Sequence, residues 1–424
     1  MRTITRAVAP SVVAALWGAC CILSPASGPA AAAALQVARA GAAEGETDLI
    51  QVTLTNPLAV PRPSETIALE LRDLDQLAPG RVLRKTVVVD AAGHPVLSQL
   101  VDMNGDESAD QLVFQADFGP SEVKTFRLRA GQRLPAARAD FKAYGRFVRE
   151  RHDDFAWEND RIAHRMYGPD LETWKQEPLT SSGVDVWVKS VSRLVVNDWY
   201  MLDDYHRDHG EGADFYSVGQ ARGCGGLGIW AEEGLRVSRN FTYSRVLANG
   251  PIRLVFELDY APWDVPGGRV AETKRVILDA GSQFDRFEST FTGGPGARSV
   301  GIGITKHPGN SQQVDAGAGL MLTWEPLQGG RSGNLGCAVV LLPGAQAGPK
   351  QTESDYLLIT PAPANGPLRY YAGFAWDRGG HIADLAAWEK EVRSLTSRLA
   401  APVKVGLAPL AGAKPRAAQK PSQS

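Results

Sequence analysis

Apolar and polar positions alternate along most of the chain from residue 49 to residue 342. A first succession of such runs covers residues 49–54, 66–71, 85–89, 111–115 and 123–128, most of them bounded by Pro, Gly, Asn or Asp. Side chains of a strand point to opposite faces in turn, so each run predicts a strand with one buried face. Pro57, Pro61, Pro63 and Pro79 fall in the connections, where no ladder hydrogen bond is lost. A second succession follows: residues 252–258, 273–278 and 284–291 alternate, and 338–342 is wholly apolar. Near the end the period changes. Leu385, Trp388, Val392, Leu395 and Leu399 recur at helical spacing, with Asp384, Glu389 and Lys390 off that face. The pattern predicts a mostly-β protein: a large antiparallel supersandwich, a smaller N-terminal β-sandwich portion and one C-terminal helix.

The ends of the chain read differently. Arg2 and Arg6 precede a mostly apolar, uncharged run at 8–23, and small residues follow at 31–34. This is the pattern of a signal peptide. The expected organisation is a signal peptide at 1–35, a disordered lead at 36–47, the β-sandwich portion at 48–135, the main domain carrying the site at 136–400, and a disordered tail at 401–424. The expected location is the periplasm or the cell exterior, with no stable membrane span after cleavage. A formal net charge of -2 over 424 residues leaves no basic excess to attract nucleic acid. Beyond the leader only Cys224 and Cys337 remain, and the sequence leaves both a disulfide and two buried thiols open.

Candidate chemistry concentrates in two stretches. The denser runs from Trp199-Tyr200 through Tyr205, His206, His209, Glu211, Asp214 and Tyr216 to Arg222. It breaks both strand and helix periods and reads as a loop. A histidine titrates near neutrality, and a carboxylate or tyrosine can be tuned toward it, so His206, His209, Glu211, Tyr205, Tyr200 and Tyr216 are candidate acid–base catalysts. His206, His209 and Glu211 also space N and O donors as a divalent metal site would, which makes Zn or Ca a possible cofactor. A hydrogen-bonded polar loop would carry the same letters. In the second stretch, Trp157, Arg161, His164 and Arg165 stand among carboxylates. A strand there puts Arg161, Ala163, Arg165 and Tyr167 on one face and Ile162, His164 and Met166 on the other. Trp157 could stack on a sugar ring, and Arg161 or Arg165 could hold a carboxylate. With His164, Arg222 and Asp214 these are the candidate substrate-binding residues. A salt-bridged linker strand explains the stretch about as well.

Two other places invite comparison. Residues 102–110 space oxygen atoms like the start of a calcium loop but lack its late glutamate, and a turn between strands is the better reading. His307, Trp376 and Asp377 could line the same cleft from other strands. There is no Walker A loop and no G-x-S-x-G elbow, which argues against nucleotide chemistry and ordinary serine hydrolysis.

The runs 157–163, 167–169, 182–187, 205–216 and 222–226 resemble an uncharacterised family of secreted bacterial proteins, over most of the mature chain. Residues 273–282 resemble a strand of galactose-mutarotase-like supersandwich domains. That resemblance implies an association with pectin degradation and a carbohydrate ligand, an oligosaccharide or polysaccharide containing uronate. The reading that follows is an exported carbohydrate-active lyase acting by β-elimination. In it Arg165 or Arg222 neutralises the uronate, His206 or His209 is the base, and Tyr205, Tyr200 or Tyr216 is the acid. The alternatives are a mutarotase or epimerase using the same His and Glu, a non-catalytic glycan-binding protein presenting Trp157, Trp187, Trp199 and Trp230, and a glycoside hydrolase built on Glu211 and Asp214.

Overall fold

In the computed structural model, the structure describes residues 47–79, 85–133, 135–176, 178–296 and 298–411. The expected signal peptide, and all but the last residue of the disordered lead, lie outside the described residues.

The largest element is an eight-stranded antiparallel sheet. Its strands lie in the order Tyr243–Ala248, Arg253–Val265, Gly268–Asp279, Phe284–Gly293, Leu368–Trp376, Asn334–Leu341, Leu320–Pro326 and Ser311–Asp315. Two five-stranded sheets complete the main sandwich. One is built on Cys224–Ala231, Ser299–Thr305 and Asp355–Pro361. The other runs Gly212–Ala213, Asp185–Lys189, Ala163–Met166, Asp154–Asn159 and Ala143–Val148. A parallel bridge between Val184 and Gly223 links these two. One continuous core draws on all three sheets, with Trp157, Val186, Ile302, Phe287, Val339 and Phe374 among its members. The mostly-β, sandwich-rich fold expected from the alternation is therefore what the structure shows, as is the C-terminal helix. That helix spans Leu385–Ala400, is capped by the Asp384 carboxylate on the Ala387 amide, and buries Trp388, Val392 and Leu395 on the sheet.

The N-terminal strands surround a core of their own. Asp48–Thr55, Val123–Ala130 and Thr86–Val89 lie in one sheet, and Arg62–Glu70, Gln111–Phe118 and Ser98–Val101 in another. Between them pack Ile50, Val52, Leu69, Phe114 and Leu128.

One expectation fails here. The segment read as a disordered tail from residue 401 begins with a strand, Lys404–Pro409, paired antiparallel to Asp48–Thr55 with Leu407 opposite Val52. Its Ala, Pro and Lys content suggested disorder. The edge of the first sheet overrides that composition, since it offers a row of backbone partners and a place for Leu407 against the core. Truncation after Pro402 is accordingly expected to lower the melting temperature by several degrees relative to truncation after Gly412. Equal melting temperatures would show that the strand adds no stability.

Candidate functional site

The sheet Asp154–Asn159, Ala163–Met166, Asp185–Lys189 has two unlike faces. Phe155, Trp157, Met166, Val186 and Val188 point into the main core. The opposite face carries Ala156, Ala163 and Trp187, covered by the helix Val196–Leu202 and by Tyr205. Arg165 stands opposite Asp185 in the ladder and opposite Ala156 on the other side, so it belongs to this outer face. Asp214 follows the short strand Gly212–Ala213, which pairs with Val188 and Lys189. Gly212 has φ +112, and a Cβ there would sit 2.0 Å from the Val188 carbonyl. Only glycine lets the chain come that close and deliver Asp214 to the sheet.

The result is one guanidinium among three buried carboxylates. Arg165 Nε donates to Asp185 Oδ2 at 2.9 Å, and Nη2 donates to Asp214 Oδ2 at 2.8 Å. Asp154 Oδ2 lies 3.6 Å from Nη1. Tyr205 Oη accepts from Arg165 Nη1 at 3.2 Å and also from Arg151 Nε. Burial works against the Arg165 charge, but Asp185, Asp214 and Asp154 outweigh it and hold its pKa well above the usual. Asp214 and Asp154 respond oppositely. Burial, reinforced by Asp185, raises Asp214 well above the usual carboxylate range. Burial lifts Asp154 to about 7 against the pull of Arg165 and Arg151. Three ionised carboxylates would outnumber Arg165 and the neighbouring Arg151 and leave uncompensated charge in a largely buried site, so the cluster retains protons near neutrality.

A cavity of about 340 Å³ opens onto this cluster, lined by Arg151, Arg165, Asp185 and Asp214 and walled by Tyr167 and Tyr216. His206 stands at its exposed rim, with Nδ1 3.4 Å from both the backbone carbonyl and the carboxylate of Asp214. Partial burial and the Arg165 charge lower the His206 pKa. The Tyr216 hydroxyl is buried. Behind that wall His307 places Nδ1 2.8 Å from Glu325 Oε2 and Nε2 2.7 Å from the Ser217 carbonyl. Its pKa is raised, burial being overcome by Glu325 and Ser217. His307 thus braces the wall from outside, while Trp376 and Asp377 lie away from the cavity lining.

The structure brings together His206, Arg165, Asp214, Tyr205 and Tyr216 from the sequence candidates. Tyr200 sits behind them, its hydroxyl donating to Asp154 Oδ2 at 3.4 Å. The others go elsewhere. His209 contacts Asp204 at 3.0 Å, and both oxygens of Glu211 are held by Arg193, in a separate cavity of about 240 Å³. Gly210 and Gly212, both at positive φ, turn this loop so that neighbours in sequence diverge. The metal reading is corrected on that ground: His206, His209 and Glu211 face three different partners, and among the described residues no His, Cys, Asp and Glu side chains converge as a metal site. The 102–110 loop uses its own acceptors, Asp102 receiving the amides of Asn104, Gly105 and Glu107. Glu211 and Asp214 line different cavities.

The sugar-platform role for Trp157 is also corrected. Trp157 is fully buried, donating Nε1 to Asp285 Oδ1 at 2.9 Å. His164 lies on the same inner face, between Asp285 Oδ2 at 3.0 Å and the Asp185 carbonyl at 2.9 Å. Arg222 is buried in the sandwich, donating to Ser182 Oγ at 2.9 Å and the Gln220 carbonyl at 2.7 Å. Arg161 lines a small crevice with Lys189 and His381. Cys224 and Cys337 are buried free thiols. The sequence reading missed Arg151, Asp154, Asp185 and Gln328. Asp185 carried a signal, as a lone carboxylate between Val184 and Val186 in an apolar run.

A family described as a domain of unknown function (DUF4861) matches residues 54–405. "Uncharacterized protein P7" of Formosa agariphila is 34% identical over 379 residues, covering 84% of this chain and 93% of that protein. Among solved structures, a protein in the glycosyl hydrolase family 38 from Enterococcus faecalis covers 85% of this chain at 9% identity with a TM-score of 0.49. An alpha-mannosidase from Enterococcus faecalis V583 covers 85% at 10% identity with a TM-score of 0.41. The chain spans about half the length of both structures, 47% and 46%. Likenesses so distant carry no functional argument.

The raised Asp154 pKa sets a pH dependence. A carboxyl protonated in the fold and ionised when unfolded contributes stability that is complete below its unfolded pKa and is lost as pH rises through its folded value, about 7. Asp154→Asn removes that contribution. Its stability relative to the unsubstituted protein should therefore improve between pH 4 and 7, by up to about 1.4 kcal/mol per pH unit, and level off above. Denaturant melts across this range check it; a gap that does not change with pH would contradict the protonated Asp154.

Proposed function

The chain belongs to the DUF4861 family, and from that starting point we propose that it is an exported carbohydrate-active enzyme performing acid–base chemistry in the Arg165–Asp214–His206 cavity, on uronate-containing sugars of the pectin type by β-elimination. The observation that carries the reading is a raised carboxyl and a lowered imidazole 3.4 Å apart at the mouth of a polar cavity. At neutral pH this pairs a neutral base with a protonated acid, the two states that elimination needs. Export rests on the leader pattern of the first 35 residues.

The proton cycle runs between two of the chain's own groups and is completed by solvent exchange at His206. With Asp154 and Asp214 holding protons, Arg165 and Arg151 can take the uronate carboxylate at this cavity, and their charge makes the C5 proton more acidic. His206 Nδ1–H points to the Asp214 carbonyl, leaving Nε2 to take that proton as the C5–H bond breaks. The electron pair forms the C4–C5 double bond and expels the C4 oxygen, which Asp214 protonates. His206 then passes its Nδ1 proton to the Asp214 carboxylate, which regenerates the acid and leaves the imidazole neutral with its proton on Nε2; exchange with solvent at the exposed rim returns that proton to Nδ1. No water is consumed.

The cavity volume favours one other reading. About 340 Å³ holds roughly one or two sugar rings rather than a polymer segment, and the same acid and base would serve a mutarotase or epimerase of pectin-derived sugars. Incubation of the purified mature protein with pectin-, alginate- and glucuronan-type oligosaccharides separates these outcomes. A near-ultraviolet-absorbing product at unchanged total mass is expected, with rates at least about 100-fold lower in His206→Ala and Asp214→Asn. Faster decay of optical rotation without a new absorbance would favour the mutarotase. A gain of water, or no change in any readout, would overturn both.

A further inference from the structure

A second cavity, of about 350 Å³, lies where the N-terminal strand Arg62–Glu70, the eight-stranded sheet and the helix Leu385–Ala400 meet. It is as large as the first and shares no lining residue with it. Junctions of this kind are where ligand sites preferentially occur.

Its charges are matched pair by pair. Arg253 donates Nε and Nη2 to the two oxygens of Asp279 at 2.7 and 2.8 Å. Arg398 Nη2 donates to Glu391 at 3.1 Å, and Arg286 is held by Glu288. The guanidinium groups are thus already compensated, so the walls suit an uncharged ligand better than an anion. They remain dense in donors and acceptors. Among the described residues, two buried lining side chains carry an atom with no hydrogen-bond partner: the acceptor Gln283 Oε1, on a residue shared with the small crevice beside Phe374, and the donor Arg398 Nε. The Gln283 amide is fixed in this sense because its Nε2 donates to the Phe374 carbonyl at 2.8 Å. Buried polar atoms left unsatisfied are costly, and hydroxyl groups, which both donate and accept, can complete them. Tyr371, beside Arg286 in the sheet, adds an aromatic wall. Paired charges, hydroxyl-seeking atoms and an aromatic ring are the chemistry of sugar recognition.

We propose that this junction cavity is a second, non-catalytic sugar site that takes an uncharged pyranose unit through its hydroxyl groups. The inference rests on the carbohydrate reading above but not on the reaction assigned to the first cavity. In an enzyme acting on uronates, such a site would hold a neutral part of the same glycan.

Saturation-transfer NMR with a panel of neutral methyl pyranosides tests it, on the full mature chain and on Tyr371→Ala, Arg398→Met and Asp214→Asn. The expected result is binding to the unsubstituted protein and to Asp214→Asn, weakened by about tenfold or more in Tyr371→Ala and Arg398→Met, with melting curves showing that both fold. Binding lost in Asp214→Asn but kept in the other two would put the sugar in the first cavity and overturn the inference. Absence of binding by every neutral pyranoside would overturn it too; if uronate turnover persists in that case, the proposed function stands without it.

Discussion

The chemistry proposed for this molecule depends on one buried cation held among three carboxylates. Arg165 cannot lose its proton, and Asp185, Asp214 and Asp154 cannot all be ionised beside it without leaving net negative charge in a dry environment. The balance is met by keeping protons on Asp154 and Asp214. A structural ion cluster becomes a proton store, and the cavity that opens on Asp214 gives the store a use. Truncating Arg165 would strand its partners, whereas neutralising Asp154 relieves the excess.

The cluster is held from both sides of one sheet. On the inner face Asp285 accepts from Trp157 and contacts His164, which in turn reaches the Asp185 carbonyl. The carboxylate of that same Asp185 binds Arg165 on the outer face. The sandwich core therefore fixes the residue that fixes the guanidinium. On the outer face the rings of Trp187, Trp199, Tyr200 and Tyr205 pack with centroids 4.8–5.7 Å apart and keep water from the cluster's flank. Lys189 and Glu158, both fully buried, form a neighbouring pair, and Glu158 also receives the amides of Val195 and Val196 where the covering helix begins. Helix, aromatic box and ion cluster are thus tied to one set of strands.

The fold was legible because period-two alternation is a local property. The strand at Lys404–Pro409 was not, because it exists only through the edge it completes. For the site, alternation correctly separated Arg165 from His164 but could not say which face meets solvent, so His164 and Trp157 were expected at a ligand and lie in the core instead. The 205–216 cluster was visible as composition. Which members converge depended on two glycines at positive φ, which send His206 toward Asp214 and leave His209 and Glu211 with Asp204 and Arg193. Asp154 and Asp185 join the site through pairing between separate strands, a long-range fact that no spacing in the chain announces.

The central claim is that the Arg165 cluster carries a proton at neutral pH. Carbon-13 carboxyl NMR of the aspartates, titrated from pH 4 to 9 and assigned with Asp154→Asn and Asp214→Asn, tests it most directly. The account predicts that Asp154 titrates near 7 and that Asp214 ionises well above the usual carboxylate range. Full ionisation of both below pH 5 would contradict it and remove the acid from the proposed reaction.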